Sequence, residues 1–275
     1  MRFASLGSGS EGNGLVVEAG ATRVLMDCGF GLADSLARLA RLGLQATDLA
    51  GIVVTHEHSD HIGGVGRLAR KHRLPVWLTA GTLAMAQDLD GVAVQVIDSH
   101  AAFALEGLEV QPYPVPHDAR EPVQYVFGDG DRRLGVLTDT GCSTPHIEAM
   151  LSGVDALVLE CNHDAAMLES GPYPVSLKRR VGGRFGHLEN GQSAALLEKL
   201  KHEKLQCVMA AHVSRKNNTS GLAQRALAGC GGKEKALGCD VVGVEVDGGA
   251  VRAVIAHSVG RRRHRHVHVA SHRVP

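Results

Sequence analysis

Residues 51–64 read "GIVVTHEHSDHIGG", and they decide both the fold and the chemistry expected of this chain. The apolar run Ile52–Val54 is typical of a buried strand, and Gly63–Gly64 leads into a helix. Four side chains able to bind a metal lie between them: His56, His58, Asp60 and His61. Such groups are not expected in an apolar core, because unpaired polar groups there are strongly unfavourable. The stretch therefore predicts a loop at a strand end, either solvated or built around metal ions.

The spacing of these four side chains suits two ions. The alternating His56 and His58 can bind one ion, while the adjacent Asp60 and His61 turn towards another. Imidazole and carboxylate ligands without thiolates suit Zn²⁺, Mn²⁺ or Fe. Two ions about 3.5–4 Å apart can share a water and lower its pKa towards roughly 7, which produces a bridging hydroxide nucleophile at neutral pH.

Three further ligand candidates each follow an apolar, strand-like run. They are His117 in "YPVPHDA", Asp139 in "GVLTDTG" and His212 in "CVMAAHVS". Taken singly, each has an ordinary alternative: His117 as a surface residue, Asp139 as a turn former and His212 as a buried, hydrogen-bonded histidine.

The stretch "THEHSDHIGG", together with these three motifs, resembles the signature of the metallo-β-lactamase superfamily. The resemblance implies an α/β fold, an αββα four-layer sandwich in which helices flank two mixed β-sheets, and two divalent transition-metal ions. By similarity, His56, His58 and His117 would hold the first metal, Asp60, His61 and His212 the second, and Asp139 would bridge them. Zinc β-lactamases of the commonest type have a cysteine in place of this aspartate, which argues against antibiotic hydrolysis.

The stretches "LVLECNHD", "GHLENGQSAA" and "AHVSRKNN" are similar to phosphodiesterase members such as tRNase Z. This similarity adds Glu160 and His187 to Asp60 as catalytic residues, with Glu160 supporting His187. A protonated His187 would bind the phosphate, stabilise its developing charge or protonate the leaving oxygen. The alternative is that His187 only caps the helix beginning near Asn190. Glu189 stands where the family has a serine, which leaves the capping open.

The N-terminal stretch "SLGSGSEGNGLVV" fits the spacing G-x-G-x-x-G at Gly7, Gly9 and Gly12. A dinucleotide site would require a helix to follow, whereas residues 15–27 read as a β-hairpin. Joined to the other motifs, "LGSGSEGN" resembles the YycJ-like (WalJ-type) branch of the superfamily over nearly the whole chain.

That branch implies a 5′→3′ DNA exonuclease linked to mismatch repair, with nucleic acid as partner and DNA favoured over RNA. Backbone and side-chain donors beside the metals would then bind phosphate. The expected substrate-binding residues are Ser8, Gly9, Ser10, Asn13, Asn217 and Asn218. Simple turn formation is the alternative for the two residues Asn217 and Asn218.

The net charge of the 275 residues is zero, but residues 1–150 are acidic and residues 151–275 basic. This asymmetry suggests metal on one side and a polyanion on the other. The basic run of Lys178, Arg179, Arg180 and Arg184 would be either a solvated helix face or a track for a nucleic-acid backbone. An aromatic content of 3% argues against a base-stacking platform for single strands.

The chain is expected to form one domain over residues 1–257, followed by a basic, His/Arg-rich and disordered tail over residues 258–275. It contains no apolar run long enough for a membrane helix and no signal-peptide pattern. Its six cysteines include no C-x-x-C pair, which suits a reducing compartment. A cytoplasmic location is therefore expected, and the oligomeric state stays open.

Three functions follow from these observations. The first is a dinuclear-metal phosphodiesterase acting on nucleic acid through a metal-bridging hydroxide. The second is a small-molecule thioesterase or lactonase of the glyoxalase II type, which keeps the bridging aspartate. The third is a metal-binding protein without catalytic activity.

Overall fold

Two mixed β-sheets pack face to face in the computed structural model, which describes residues 1–229, 240–243 and 251–254. The first sheet contains β1 (Arg2–Gly7), β2 (Gly14–Ala19), β3 (Thr22–Met26), β4 (Gly51–Val53), β5 (Val76–Thr79), β6 (Val94–Ile97) and β14 (Val251–Val254). The second contains β7 (Phe103–Leu105), β8 (Leu108–Pro114), β9 (Val123–Gly128), β10 (Arg133–Leu137), β11 (Ala156–Glu160), β12 (Cys207–Ala211) and β13 (Asp240–Gly243).

Each sheet has a parallel and an antiparallel half. The first runs in the order β14-β1-β2-β3-β4-β5-β6 and is parallel from β3 to β6. The second runs in the order β13-β12-β11-β10-β9-β8-β7 and is parallel from β10 to β13. Loops that leave the carboxyl ends of neighbouring parallel strands meet at one edge of a sheet, where ligands bind in open α/β folds. This edge carries the polar motifs predicted from the sequence.

Helices flank the two sheets, and several of them cover the outer faces. They are α1 (Leu32–Arg41), α2 (Ser59–Ile62), α3 (Val65–His72), α4 (Ala80–Met85), α5 (Pro145–Leu151), α6 (Ala165–Ser170), α7 (Val175–Val181), α8 (Asn190–Leu200) and α9 (Ser220–Ala228), with a 3₁₀ turn at Ala46–Asp48. α1 and α3 bury Leu39 and Leu68 in the apolar layer outside the first sheet. α5, α8 and α9 bury Ile147, Leu197 and Leu227 outside the second. The predicted αββα sandwich is confirmed.

The central strands are apolar on both faces, because each sheet lies between a helix layer and the other sheet. In β2, Val16 packs with the outer helices while the next residue, Val17, packs between the sheets. Leu157 and Val158 divide in the same way on β11. This explains why these strands read as continuous apolar runs rather than as alternating ones.

Most elements lie where the sequence pattern predicts them. The hairpin expected over residues 15–27 is formed by β2 and β3, and residues 65–72 form α3 as predicted. The apolar periodicity of residues 193–202 predicts a helix there, and α8 runs from Asn190, near which the sequence motif placed its start, to Leu200. Its first turn is polar, so periodicity alone does not reveal it.

The opposite edge of the second sheet carries a short turn between β9 and β10. Asp129 Oδ1 accepts hydrogen bonds from the backbone N–H groups of Asp131 and Arg132, which closes the turn. None of the described helices is long and apolar enough to cross a membrane. The predicted domain boundary at residue 257 and the predicted tail over residues 258–275 lie outside the described residues.

Candidate metal centre

Three histidines from two loops converge beside the end of β4. His56 Nε2 lies 3.0 Å from His58 Nδ1, and His117 Nε2 lies 3.3 Å from the same His58 atom. His56 and His58 leave β4, whereas His117 follows β8 of the other sheet. The three nitrogens are close enough to bind one ion together. The structure therefore brings together the trio expected to hold the first metal.

A second group lies next to the first. Asp60 and His61 stand on the single turn of α2, and His212 follows β12. Asp60 Oδ2 lies 3.6 Å from His61 Nε2 and 3.7 Å from His212 Nε2. These three side chains form a second set of potential ligands for one ion. It is the set expected to hold the second metal.

Asp139 lies between the two groups and is almost fully buried. Its Oδ2 is 3.2 Å from His61 Nε2, and its Oδ1 is 3.4 Å from His212 Nε2. The same Oδ1 is 4.0 Å from His117 Nε2, which belongs to the first group. Asp139 thus reaches ligands of both groups, as a bridging carboxylate must.

A left-handed backbone turn follows three of the parallel strands. Asp27 after β3, Asp139 after β10 and His212 after β12 have φ angles of 60°, 50° and 52°. Asp and His are among the side chains that tolerate this conformation best, and strained backbone of this kind clusters at functional sites. Each turn ends a strand while a polar side chain stays at the sheet edge.

Asp27 is a site residue that sequence reasoning missed. Its Oδ2 lies 2.8 Å from His61 Nδ1, and its two oxygens accept hydrogen bonds from the hydroxyl and the backbone N–H of Thr55, each at 2.8 Å. A carboxylate behind a metal-binding histidine fixes the ring and its tautomer. The signal was present, because Asp27 follows the apolar strand β3 much as Asp139 follows β10.

Glu160, at the end of β11, is fully buried and supports two histidines. Its Oε1 lies 2.8 Å from His187 Nδ1 and 3.2 Å from His212 Nδ1. Its Oε2 accepts hydrogen bonds from the backbone N–H groups of Thr140 and Leu188, both at 3.1 Å. The expected contact between Glu160 and His187 is therefore present. Its contact with His212 was not anticipated.

The N-terminal cap of α8 is Glu189. The Glu189 carboxylate accepts a hydrogen bond from the Gln192 backbone N–H, and the Gln192 side chain accepts one from the Glu189 N–H. This reciprocal pair is a capping box with Glu189 as its first member. His187 is not the cap, so the alternative reading of that residue is wrong.

The charges of the centre are strongly coupled. Burial opposes protonation of His61, but Asp139 and Asp27 outweigh it and raise its pKa well above the usual value. Burial also opposes protonation of His212, yet Asp139 and two other carboxylates raise its pKa to about 10. Burial raises the pKa of both carboxyls, but the neighbouring histidines outweigh it. His212 and His61 hold the pKa of Asp139 well below the usual value, and His187 and His212 lower that of Glu160 to about 2. The carboxylates stay ionised and require positive charge beside them.

The donor set fits divalent cations. Asp139 Oδ2 and His212 Nε2 are buried side-chain atoms without a hydrogen-bond partner, and both point into the cluster of ligand candidates. Burial lowers the pKa of His56 and of His117, which favours the neutral imidazoles that bind metals, whereas His61 and His212, whose pKa values the carboxylates raise, would exchange a proton for the cation. Imidazoles and carboxylates without a thiolate suit Zn²⁺, Mn²⁺ or Fe.

The N-terminal loop holds the metal-ligand loops in place. Ser8 Oγ accepts a hydrogen bond from the His212 backbone N–H at 2.7 Å. Asn13 Oδ1 accepts one from the Gly9 N–H at 2.8 Å, and its Nδ2 donates to the Asp60 carbonyl at 3.2 Å. These groups were expected to bind phosphate, but their partners lie within the protein.

Two glycines of this loop allow close packing against an aromatic ring. Gly12 has a φ of 152°, and a Cβ there would lie 2.5 Å from the Phe30 ring. A Cβ on Gly7 would likewise lie 2.7 Å from that ring. Two of the three glycines in the spacing G-x-G-x-x-G, Gly7 and Gly12, therefore contact Phe30, whereas a Cβ on Gly9 would lie 3.4 Å from the Val213 carbonyl.

Asn218 also has a structural role. Its Nδ2 donates to the Cys161 carbonyl and to Asn190 Oδ1, both at 2.8 Å, and its Oδ1 accepts hydrogen bonds from Asn190 and from the Thr219 N–H. These contacts engage both ends of the amide. These contacts favour the alternative in which Asn218 shapes the turn, over a contact with substrate.

A cavity of about 350 Å³ opens over the metal-ligand candidates. Its lining includes Ser10 and Asn217, the two remaining phosphate-binding candidates, together with His187. Asn217 is fully buried, and its Oδ1 has no hydrogen-bond partner. Of the basic run, Arg180 lines the cavity.

Asp118, a second residue missed by sequence reasoning, joins Arg180 to the metal-ligand candidates. Its Oδ2 accepts a hydrogen bond from Arg180 Nε at 2.5 Å, and its Oδ1 lies 3.5 Å from His117 Nε2. Burial opposes ionisation of the carboxyl, but the Arg180 contact outweighs it and lowers the pKa of Asp118. Its position directly after His117 was the signal available in the sequence.

Comparison with known proteins agrees with this geometry. The family described as "Beta-lactamase superfamily domain" matches residues 22–209. The chain is 37% identical over 228 residues to "Exodeoxyribonuclease YycJ" of Bacillus anthracis, covering 82% of this chain and 86% of that one. It is 30% identical over 228 residues to "Exodeoxyribonuclease WalJ" of Streptococcus pneumoniae, with 81% and 85% covered.

Among solved structures, the metallo-β-lactamase fold protein YhfI of Bacillus subtilis is similar with a TM-score of 0.70 and 15% identity. The match covers 91% of this chain and 98% of that one, and it supports the fold. The resemblance to the YycJ-like branch expected from the motifs is confirmed by the two sequence relatives.

Proposed function

The chain belongs to the beta-lactamase superfamily and is a hydrolase of that superfamily, and from this premise we propose that it degrades nucleic acid as a dinuclear-metal-dependent 5′→3′ DNA exonuclease. The two relatives compared above are named exodeoxyribonucleases, which supports a phosphodiester substrate, and we infer DNA rather than RNA from those names. We assign His56, His58 and His117 to one ion, Asp60, His61 and His212 to the other, and Asp139 to both.

The observation that carries this proposal is the contact of Glu160 with both His187 and His212. Glu160 holds His187 through Nδ1 at the cavity wall, so the other ring nitrogen is left for substrate. An imidazole held in this way can bind a phosphate oxygen and donate a proton to the leaving oxygen. A thioester releases a thiolate, which has less need of a proton donor than the alkoxide released from a phosphodiester.

When bound, two divalent ions would supply Lewis-acid polarisation of the phosphate and activation of water. The protein residues supply position and charge. Asp27 and Glu160 orient His61 and His212 through their Nδ1 atoms. Asp60 belongs to the second group of ligand candidates and also lines the cavity, and we assign it a catalytic role.

We assign phosphate binding to Ser10, Asn217 and Arg180, which line the cavity. Arg180 is paired with Asp118, so a phosphate would compete with that carboxylate for the guanidinium. Ser8, Gly9, Asn13 and Asn218 stabilise the loops in this proposal. Zn²⁺ or Mn²⁺, with Fe as a further candidate, would occupy the sites, and a cytoplasmic location stays a prediction from the sequence.

The test combines metal analysis with digestion of labelled substrates. We expect up to two transition-metal ions per chain and stepwise shortening of 5′-phosphorylated DNA from its 5′ end. Comparing DNA with RNA of the same sequence shows which nucleic acid is the substrate. Comparing strands labelled at the 5′ end with strands labelled at the 3′ end shows the direction of digestion. Asp60→Ala is expected to lose metal and activity, whereas the matched Asp90→Ala on the exposed surface keeps both.

The other two functions are outcomes of the same test. If the protein hydrolyses S-lactoylglutathione or a lactone but not bis(p-nitrophenyl) phosphate, it is a thioesterase or lactonase and not a phosphodiesterase. Metal binding without turnover of any of these substrates would favour the non-catalytic protein. Retention of both metal and activity by Asp60→Ala would contradict the assigned centre.

His187 gives a separate prediction. His187→Ala is expected to lower phosphodiester turnover about 10²–10⁴-fold, the usual contribution of general acid–base catalysis, while metal content stays unchanged. Turnover is measured on labelled DNA and metal by elemental analysis. The control is His100→Ala, at an exposed histidine. Parallel loss of metal would show that His187 is a ligand.

A further inference from the structure

Phe185 is an exposed aromatic side chain beside the metal cavity. Its exposed fraction is 61%, and among the large apolar side chains that the structure describes as exposed it is the one with an aromatic ring. The next residue, Gly186, lines the cavity, and His187 follows it. An isolated exposed apolar residue is ordinary, so the argument depends on how this one is held and on what surrounds it.

The backbone that carries Phe185 is fixed to the metal-ligand loop. The Phe185 carbonyl accepts a hydrogen bond from the Asp118 N–H at 3.0 Å, and the Gly186 carbonyl lies 3.1 Å from His117 Nδ1. The preceding backbone packs so closely that a Cβ on Gly141 would lie 2.3 Å from the Arg184 carbonyl. The ring is therefore presented to solvent from an anchored segment next to a ligand candidate.

The surroundings of Phe185 are basic rather than apolar. Arg184 precedes it and is exposed, and Arg179 and Arg180 stand exposed on α7. α7 buries none of its side chains in the core. An apolar protein partner would desolvate these guanidinium groups, whereas a nucleic-acid strand would pair its phosphates with them. The combination of one exposed aromatic ring with cationic side chains nearby in the chain is typical of single-strand binding surfaces.

We propose that Phe185 stacks on a nucleobase next to the bond that is cleaved, while the phosphate of that bond lies in the cavity. This inference rests on the proposed function and deepens it. In the proposed function the metal centre binds the phosphate, and Phe185 would add a contact to the base. Stacking is tolerant of sequence, since every base has a π face. The low aromatic content of the chain argues against an extended platform, but one anchored ring is enough for a single base.

The experiment measures kcat and KM of Phe185→Ala and Phe185→Trp on metal-loaded protein. The substrates are a 5′-phosphorylated oligonucleotide, the same strand with abasic nucleotides at its 5′ end, and bis(p-nitrophenyl) phosphate. Met85→Ala, which removes another exposed apolar side chain, is the matched control. We expect Phe185→Ala to raise KM for the normal strand about 5- to 100-fold, the usual range for one base–aromatic stack.

Three comparisons make the interpretation specific. Phe185→Trp should keep the wild-type KM, because tryptophan can also stack. Wild type and Phe185→Ala should have the same, raised KM for the abasic strand, because that strand has no base on which Phe185 could stack. Hydrolysis of bis(p-nitrophenyl) phosphate should be unchanged.

An equal KM of wild type and Phe185→Ala on the normal strand would overturn the inference, and so would an equal effect on normal and abasic strands. If wild type degrades neither strand, the proposed function itself fails, which is a distinguishable result.

Discussion

Asp27 and Asp139 occupy equivalent places in the two sheets, each in a left-handed turn after a parallel strand. Asp139 contacts ligands of both metal groups, whereas Asp27 stands behind His61. The same local geometry thus supplies one direct ligand candidate and one support. Only the contacts distinguish them, because both follow apolar strands in the sequence.

Asp27→Asn is expected to lower metal affinity. Asn keeps the size of the side chain and tolerates the left-handed conformation, but it removes the charge that holds His61. Loss of a partner behind a metal ligand typically lowers affinity about 10–100-fold. Competition titration with a chromophoric chelator measures the change. Asp90→Asn is the control, and an unchanged affinity for Asp27→Asn would show that Thr55 and Asp139 suffice to orient His61.

The ligand candidates were predictable residue by residue, and so was the support of His187 by Glu160, whereas the support of His61 by Asp27 was not. His56, His58, Asp60 and His61 form a dense local pattern, and each later candidate follows an apolar run. Asp27 also follows an apolar run and Asp118 follows His117 directly, but their roles depend on neighbours distant in the sequence. For Ser8 and Asn13 the location was predicted, but hydrogen-bond partners inside the protein give them another role.

At the level of elements, strand ends and helix starts carry the site. β4, β8, β10, β11 and β12 each end next to a candidate ligand or its support. α8 starts just after His187, so its N-terminal cap lies close to the proposed proton donor. Periodicity predicted the body of α8 but not its start, because the capping box is polar.

Glu189→Ala is expected to lower the free energy of unfolding by about 1 kcal/mol, the usual contribution of an N-cap side chain. Glu189→Ser should recover most of this loss, because serine is a favoured cap. Urea denaturation gives the values. Glu198→Ala, at an exposed position on the same helix that pairs with Lys201, should cost less. A loss no larger than that of Glu198→Ala would mean that the capping box contributes little.

Across the whole molecule, the two proposed metal sites join the sheets at one edge. His56, His58, Asp60 and His61 come from the first sheet, whereas His117, Asp139 and His212 come from the second. The αββα layers were predictable from the resemblance and from the order of apolar runs. The joining of the sheets could not be derived from any single motif, because it depends on long-range packing.

Removing the metals is therefore expected to destabilise the fold. A ligand present at 1,000 times its dissociation constant stabilises the native state by about 4 kcal/mol. Dialysis against a chelator should lower Tm, and added Zn²⁺ or Mn²⁺ should restore it. Asp60→Ala should respond less than wild type. An unchanged Tm, with metal loss verified by elemental analysis, would mean that packing alone holds the sheets together.

The Asp129 turn between β9 and β10 lies at the edge of the second sheet opposite the cavity. A cysteine introduced within residues 129–131 would provide an attachment point for a surface or a fluorophore that faces away from the cavity. The protein could then be tethered with its cavity towards solution, so that long DNA reaches it without obstruction. Single-molecule recordings of digestion become accessible through this arrangement.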